Sequence, residues 1–264
     1  MIFFGLIWRM IRNINLFQPV RNFNVTPKII LNVTALTLTA MFLWGCQPKS
    51  KQDKEIEQVH AKGSNVALKY SQSCDLDGCT EYHFKTVKTG ISWLDDYFLQ
   101  RIKRSEPNAF TQSVQMNLPA QVKKIIHQRS IVVASVGQWG KLASFSIETR
   151  YDTQNKRKNM YFKEYVNFDL AQEKRISIED VLKPNQEKKL LAMLYKTHRD
   201  LLKKHQIKAE NLRLSDNFYY QKQAIVFVYP IEELNLKQKG MAELELPYRD
   251  AKALIKAQYF PTLP

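Results

Sequence analysis

Glycine is scarce in this chain, eight among 264 residues, and that scarcity excludes a class of sites. A phosphate-cradling loop needs glycines where backbone approaches ligand, and no Gly-rich loop of that kind is present. The GxSxG nucleophile elbow, the CxxC pair and the HExxH helix are missing as well. Acid is in short supply: 25 Asp and Glu stand against 40 Lys and Arg. The first 45 residues carry four of those cations (Arg9, Arg12, Arg21, Lys28) and no acid, so the remainder is basic too, 36 against 25. A basic surface favours partners bearing phosphate or carboxylate and disfavours cationic ones. A full membrane span is lacking in the N-terminal apolar run: Ile29–Gly45 is 17 uncharged residues, short of the roughly 20 that a spanning helix needs, and threonines dilute it.

What is present begins at that run. Lys28 precedes it, and "LWGC" closes it at Cys46, after which the chain turns at once to "QPKSKQDKEIEQ". A basic segment, a short apolar segment and small residues before a cut describe a signal peptide. The ending resembles the lipobox of bacterial lipoprotein precursors, with Leu43 and Gly45 at matching places. That resemblance implies that Cys46 becomes the acylated first residue of the mature protein, and Gln47 after it favours the outer membrane. Residues 1–45 are therefore read as signal peptide and 46–64 as a flexible tether. Signal peptides run about 15–30 residues, so the depth of Cys46 points to a translation start downstream of Met1, at Met10 or Val25.

Of the three cysteines, Cys46 stands alone while Cys74 and Cys79 form a close pair in "CDLDGC". One disulfide and one acylated cysteine is the pattern of an exported lipoprotein. The alternative for the pair, half of a metal site, finds no second cysteine or histidine cluster to complete it.

Residues 65–264 are read as an α+β domain. "NVALKYSQ" and "TEYHFKTVKT" alternate apolar and polar residues around the Asp77-Gly78 turn, a hairpin clipped by Cys74–Cys79. In "GISWLDDYFLQRIKRS", Ile91, Leu94, Phe98 and Ile102 fall at helical spacing. "QVKKIIHQR" is expected to be helical. "SIVVASVGQW", "KLASFSIETRYD" and "NMYFKEYVNFDL" read as strands, the last amphipathic, with Tyr161, Lys163, Tyr165 and Asn167 on one face and Phe162, Val166, Phe168 and Glu164 on the other, over a core. A long helix over Gln186–His205, with Leu190, Leu191, Leu194, Leu201 and Leu202 on its apolar side, precedes two strands in "FYYQKQAIVFVYP". "MAELELPY" reads as a further strand and "YRDAKALIKAQY" as a closing helix. Strand groups linked by hairpins rather than βαβ units imply antiparallel sheets packed with helices.

The C-terminal third, "SIEDVLKP", then the helix, then "NFYYQKQAIVFVYPIEELNLKQKGMAELELPY", resembles the extracytoplasmic domain of RsiV-type anti-sigma proteins and PdaC-type peptidoglycan deacetylases. Asp180, Val181 and Leu182 match the first element of that pattern, and Asn217 and Phe218 the second. Val226, Phe227, Tyr229, Pro230, Gly240, Pro247 and Tyr248 match the rest, over a portion of about 130–258. The resemblance implies an α+β domain facing the cell envelope. Some relatives bind lysozyme. Neither a sigma-binding segment nor the metal-binding Asp and His motifs of a deacetylase is seen, so neither of those activities is implied.

No residue set reads as catalytic, and no cofactor or metal is expected. His198 and His205 stand seven apart, off the i, i+4 spacing of a helical metal pair, and read as solvated helix residues; His60, His83 and His127 have no assigned partners. Neighbouring acids (Asp95-Asp96, Glu179-Asp180, Glu232-Glu233) point about 100° apart on a helix and form no dyad; Glu179 and Asp180 suit a helix N-terminus. Lys156–Asn159, Arg101–Arg104, Lys123-Lys124, Lys188-Lys189 and Lys203-Lys204 are basic runs, read first as solvated faces and second as contacts to anionic envelope polymers or lipid headgroups. The same charge opposes a basic lysozyme unless an acidic patch such as Glu232, Glu233, Glu243 and Glu245 meets it. The expected protein is a lipid-anchored, non-enzymatic envelope binder of peptidoglycan, an anionic polymer or a lysozyme-like hydrolase, anchored to a membrane and meeting no nucleic acid. The alternative is an envelope hydrolase with an unrecognised site.

Overall fold

A computed structural model of the chain describes residues 55–75, 77–111, 124–154, 159–230, 234 and 241–261. The signal segment, Cys46, Lys156–Lys158, Glu232, Glu233 and Gly240 lie outside the described residues.

Two sheets packed with helices make an α+β fold, as the patterning implies. The larger sheet has the order β1-β3-β4-β5-β6-β7, with β2 also on β3. Its strands are β1 (Lys62–Asn65), β2 (Gln72–Asp75), β3 (Gly78–Lys88), β4 (Ile125–Trp139), β5 (Leu142–Thr153), β6 (Met160–Asp169) and β7 (Lys174–Ile176). The smaller sheet has the order β10-β9-β8, from β8 (Phe218–Tyr220), β9 (Ala224–Pro230) and β10 (Met241–Pro247).

Helix α1 (Ser92–Ser105) forms where the period changes, and it buries Leu94, Phe98 and Ile102 as the spacing predicts. Those residues pack against Tyr82, Phe84, Ile131, Val133, Phe145, Ile147, Val166 and Phe168, the inward face of β3 to β6. Asp95 turns back from the helix to accept the amide and hydroxyl of Thr89, each at 2.8 Å, which fixes the entry into α1. A second core lies between the smaller sheet and the short helices α2 (Ile178–Val181), α3 (Glu187–Thr197), α4 (Arg199–Lys204) and α5 (Tyr248–Ala251). Its aromatic centre is Phe218, Tyr220 and Phe227, none of them exposed at all.

Four expectations are corrected. Ile125–Arg129, expected to be helical, is the first part of β4 and runs parallel to β3, with Tyr82 opposite Arg129. Two adjacent β-branched residues and a strand partner outweigh the short helical spacing there. The β3–α1–β4 connection is therefore a crossover, and the larger sheet is mixed rather than purely antiparallel. The stretch 65–72 is not one strand: β1 and β2 pair with separate halves of β3. The long helix is interrupted at His198, whose φ/ψ of −109°/25° leaves the helical region, and Leu201 is 39% exposed rather than part of the apolar face. The closing helix is the single turn α5, followed by a 3₁₀ turn at Ala257–Tyr259.

Candidate binding face

Cys74 and Cys79 stand directly opposite each other on β2 and β3 and are disulfide-bonded. The hairpin is shaped by Asp75, whose Oδ1 accepts the amides of Asp77 (3.0 Å) and Gly78 (3.2 Å). Gly78 has φ +139°, and a Cβ there would sit 2.6 Å from the Ile126 side chain, so the β2–β3 turn requires glycine.

The family-pattern residues are brought together by the smaller sheet, and their polar atoms go into holding it. Asn217 precedes β8; its Oδ1 accepts the amide of Tyr165 at 2.7 Å and its Nδ2 donates to the carbonyl of Lys163 at 2.9 Å. These are β6 groups beyond the reach of β7, which pairs only with Asn167–Asp169. Asn167 continues the stitching: it accepts Ser144 Oγ–H at 2.6 Å and donates to the carbonyl of Phe218 at 2.6 Å. Ser144 and Asn167 are 0% and 1% exposed, so this polar link between the sheets is sheltered from water. Phe218 stacks on Phe227 with ring centroids 6.2 Å apart. The Tyr229 and Tyr248 hydroxyls donate to the carbonyls of Arg213 (2.9 Å) and Gln221 (2.7 Å). Pro230 and Pro247 end β9 and β10. Asp180 caps α2 in a box with Ser177, as its acidic position at a helix start predicts.

On the outer side, Tyr165 and Tyr219 stack at 4.1 Å with Glu243 accepting from both hydroxyls, at 3.4 and 3.2 Å. Burial, opposed by the Gln221 hydrogen bond, raises the Tyr219 hydroxyl well above its ordinary pKa, so it stays protonated and donating. Lys163 reaches Glu148 at 3.0 Å on the neighbouring strand. Its desolvation is outweighed by that hydrogen bond, and its pKa is raised. Glu243, one of the acids that a basic partner would need, thus accepts two hydrogen bonds from within the protein, and both it and Glu245 are exposed.

At the start of β4 and the β5–β6 end of the larger sheet the inward face is partly exposed among the described residues. In register across three strands stand Arg129, Tyr151 and Met160, and in the next row Ile131, Thr149 and Phe162. Ile131 is 2% exposed, but Met160 is 40% and Phe162 51% exposed, with Ile125 at 40% on the same sheet end. Arg129 lies over the Tyr151 ring at 4.6 Å and contacts Glu106 at 2.5 Å; His127 stacks on the same ring at 5.2 Å. The sequence pattern places Phe162 on the core face of its strand and Ile125–Arg129 in a helix, and both expectations are corrected here: Phe162 stands past the end of α1, where it is exposed, so the pattern does not reveal this platform.

The histidines are dispersed. His198 Nε2 lies 2.8 Å from the Glu245 carbonyl, and His83 pairs with Glu81 at 3.1 Å. Among the described residues no group of three His, Cys, Asp or Glu side chains is placed to hold a metal.

An α+β domain with a clipped hairpin and two stitched sheets is the class this geometry defines. No family model matches the chain, and no curated protein does. Solved structures do. A DUF3298 family protein from Pseudomonas aeruginosa superposes with a TM-score of 0.59 at 15% identity, covering 79% of this chain and 99% of that one. A member of the same family from Bacteroides fragilis gives 0.52 at 12% identity, covering 76% and 95%. The likeness is one of fold: the α+β domain is similar in structure to those two DUF3298 family proteins.

Proposed function

We propose that the protein is a lipid-anchored cell-envelope protein whose α+β domain binds an envelope polymer or a lysozyme-like hydrolase without catalysing a reaction. The observation that carries this reading is the Cys74–Cys79 disulfide between β2 and β3, because such bonds persist in oxidising compartments outside the cytosol. The lipobox-like "LWGC" supplies the anchor at Cys46, and the surplus of cations suits carboxylate- or phosphate-bearing polymers. A tethered domain needs only modest intrinsic affinity, since anchoring raises its local concentration near the envelope polymer.

The test is co-sedimentation with purified sacculi and pull-down with lysozyme, each over a salt titration, beside a turnover assay on muropeptides. Salt-sensitive binding without turnover is the expected result. Turnover abolished by a single substitution would replace this reading with that of a hydrolase.

A further inference from the structure

We infer that the exposed ends of two in-register rows of β4, β5 and β6, at Met160 and Phe162, are the surface with which this protein docks on peptidoglycan; the inference rests on the envelope-binding reading above.

Strand alternation puts Arg129, Tyr151, Met160 and Phe162 on the face of the larger sheet that α1 covers elsewhere. Glu164, two residues beyond Phe162, confirms that orientation by reaching Arg101 of α1 at 2.7 Å. The helix ends beside Arg129, where Glu106 takes the guanidinium, and past that row an aromatic ring and a thioether face solvent. Scattered apolar residues need no explanation, but two adjacent in-register rows of Tyr, Met and Phe with arginine beside them have the composition of a recognition surface.

Charge selects the occupant. Arg101 and Arg129 pair with Glu164 and Glu106, and in the last turn of α1 Lys103, whose ammonium lies over the Phe110 ring, and Arg104 make no ion pair among the described residues. The surface is therefore apolar with a cationic rim, fitted to a polymer that offers sugar faces and carboxylates together. Peptidoglycan, with lactyl and stem-peptide carboxylates along a glycan chain, has that chemistry.

Position agrees. The chain enters the domain at the far end of the sheet, where the Val59 amide donates to Gln138 Oε1 at 2.8 Å and Gln138 Nε2 donates to the Glu57 carbonyl at 3.1 Å. The nine residue steps of β4 from Gln138 back to Arg129 span about 30 Å at the strand rise. The described chain thus begins at the sheet end opposite the platform and leaves the platform clear of residues 55–59.

The experiment compares the purified protein in detergent with the Met160→Ser/Phe162→Ser double variant in co-sedimentation with sacculi. Both residues are substantially exposed, so the variant should keep the wild-type circular dichroism and melting temperature. Sacculus affinity should fall at least tenfold, while Phe162→Tyr retains it and Leu201→Ser, a change at a comparably exposed apolar residue elsewhere, leaves it unaltered. Equal binding by wild type and double variant would overturn the surface assignment alone. Wild-type protein that never sediments with sacculi would overturn it together with the polymer half of the proposed function. A parallel arm uses vesicles containing phosphatidylglycerol: loss of vesicle binding without loss of sacculus binding would make the platform a lipid contact and overturn the inference.

Discussion

The Asn217 side chain acts as a missing strand for Tyr165. It accepts the Tyr165 amide at 2.7 Å and donates to the Lys163 carbonyl two residues earlier, the pair of bonds that an antiparallel neighbour would make. An aspartate in its place keeps the acceptor and loses the donor; an alanine loses both. Leaving partly buried backbone groups unpaired costs about 1–3 kcal/mol each. Asn217→Ala is therefore expected to lower stability by about 2–4 kcal/mol and Asn217→Asp by less than Ala. Urea denaturation should show the midpoint moving with an unchanged slope; a midpoint shift below about 0.5 kcal/mol would remove Asn217 from its stitching role.

That bond also marks the limit of sequence reading. Asn217 and Phe218 were picked out by resemblance, but their partner strand lies some fifty residues earlier, and nothing local to "NFYY" encodes a contact with Lys163 and Tyr165. Local signals are legible where one period dominates: α1 follows from Leu94, Phe98 and Ile102. β6 is a strand as its alternation implies, but both of its faces are buried over Tyr165–Asp169, while Phe162, on the expected core face, is exposed. Local signals fail where tertiary contacts decide. Ile125–Arg129 is a strand because β3 is alongside, and the helix before His205 breaks at His198, where the ring reaches the edge of β10 at Glu245. The exposed platform followed the same failure, since a helix there would have hidden the register of Arg129, Tyr151 and Met160.

The Cys74–Cys79 bond closes a short loop, with a sequence separation of five. Chain-entropy reasoning assigns about 2 kcal/mol to a loop of that size. Cys74→Ser/Cys79→Ser should lower the melting temperature by several degrees without unfolding the domain. Thiol alkylation of protein taken directly from cells, read by mass spectrometry, should find Cys74 and Cys79 blocked; free thiols at both would remove the observation on which export rests.

Acylation of Cys46 has its own readout. A palmitate analogue should label the wild-type protein and not Cys46→Ala, and the labelled protein should partition into detergent while the variant stays in the aqueous phase. Label surviving in Cys46→Ala would displace the anchor from this residue.

Asp180 serves the N-terminus of α2. Burial pushes its carboxyl up, but the Ser177 amide and hydroxyl and the Lys174 ammonium outweigh burial and hold it below the ordinary aspartate value. A lowered folded pKa contributes stability that is present above the unfolded value and is lost as pH falls through the folded one. Asp180→Ala should therefore cost about 1 kcal/mol at pH 7, the usual worth of a cap. The gap from wild type should close as pH is taken below about 4, near the unfolded aspartate value. Stability curves at pH 7 and pH 3 decide it, and a gap independent of pH would assign the cost to packing.

Glu106 behaves in the opposite sense. Burial raises its pKa, and Arg129 at 2.5 Å only partly offsets that by charge and hydrogen bond. With the folded value above the unfolded one, its contribution is complete below the unfolded pKa of about 4.3 and diminishes as pH rises through the folded value. Glu106→Gln keeps the shape and has no charge to bury, so its stability relative to wild type should rise with pH across that interval. Arg129→Gln does the reverse: it leaves the carboxylate without its cation, raises the Glu106 pKa further and steepens the loss of stability with rising pH. Paired denaturation series from pH 3.5 to pH 7 should thus diverge in opposite directions for the two variants. Parallel curves would mean that Glu106 and Arg129 meet without electrostatic consequence, and the cationic edge of the platform would then owe nothing to the end of α1.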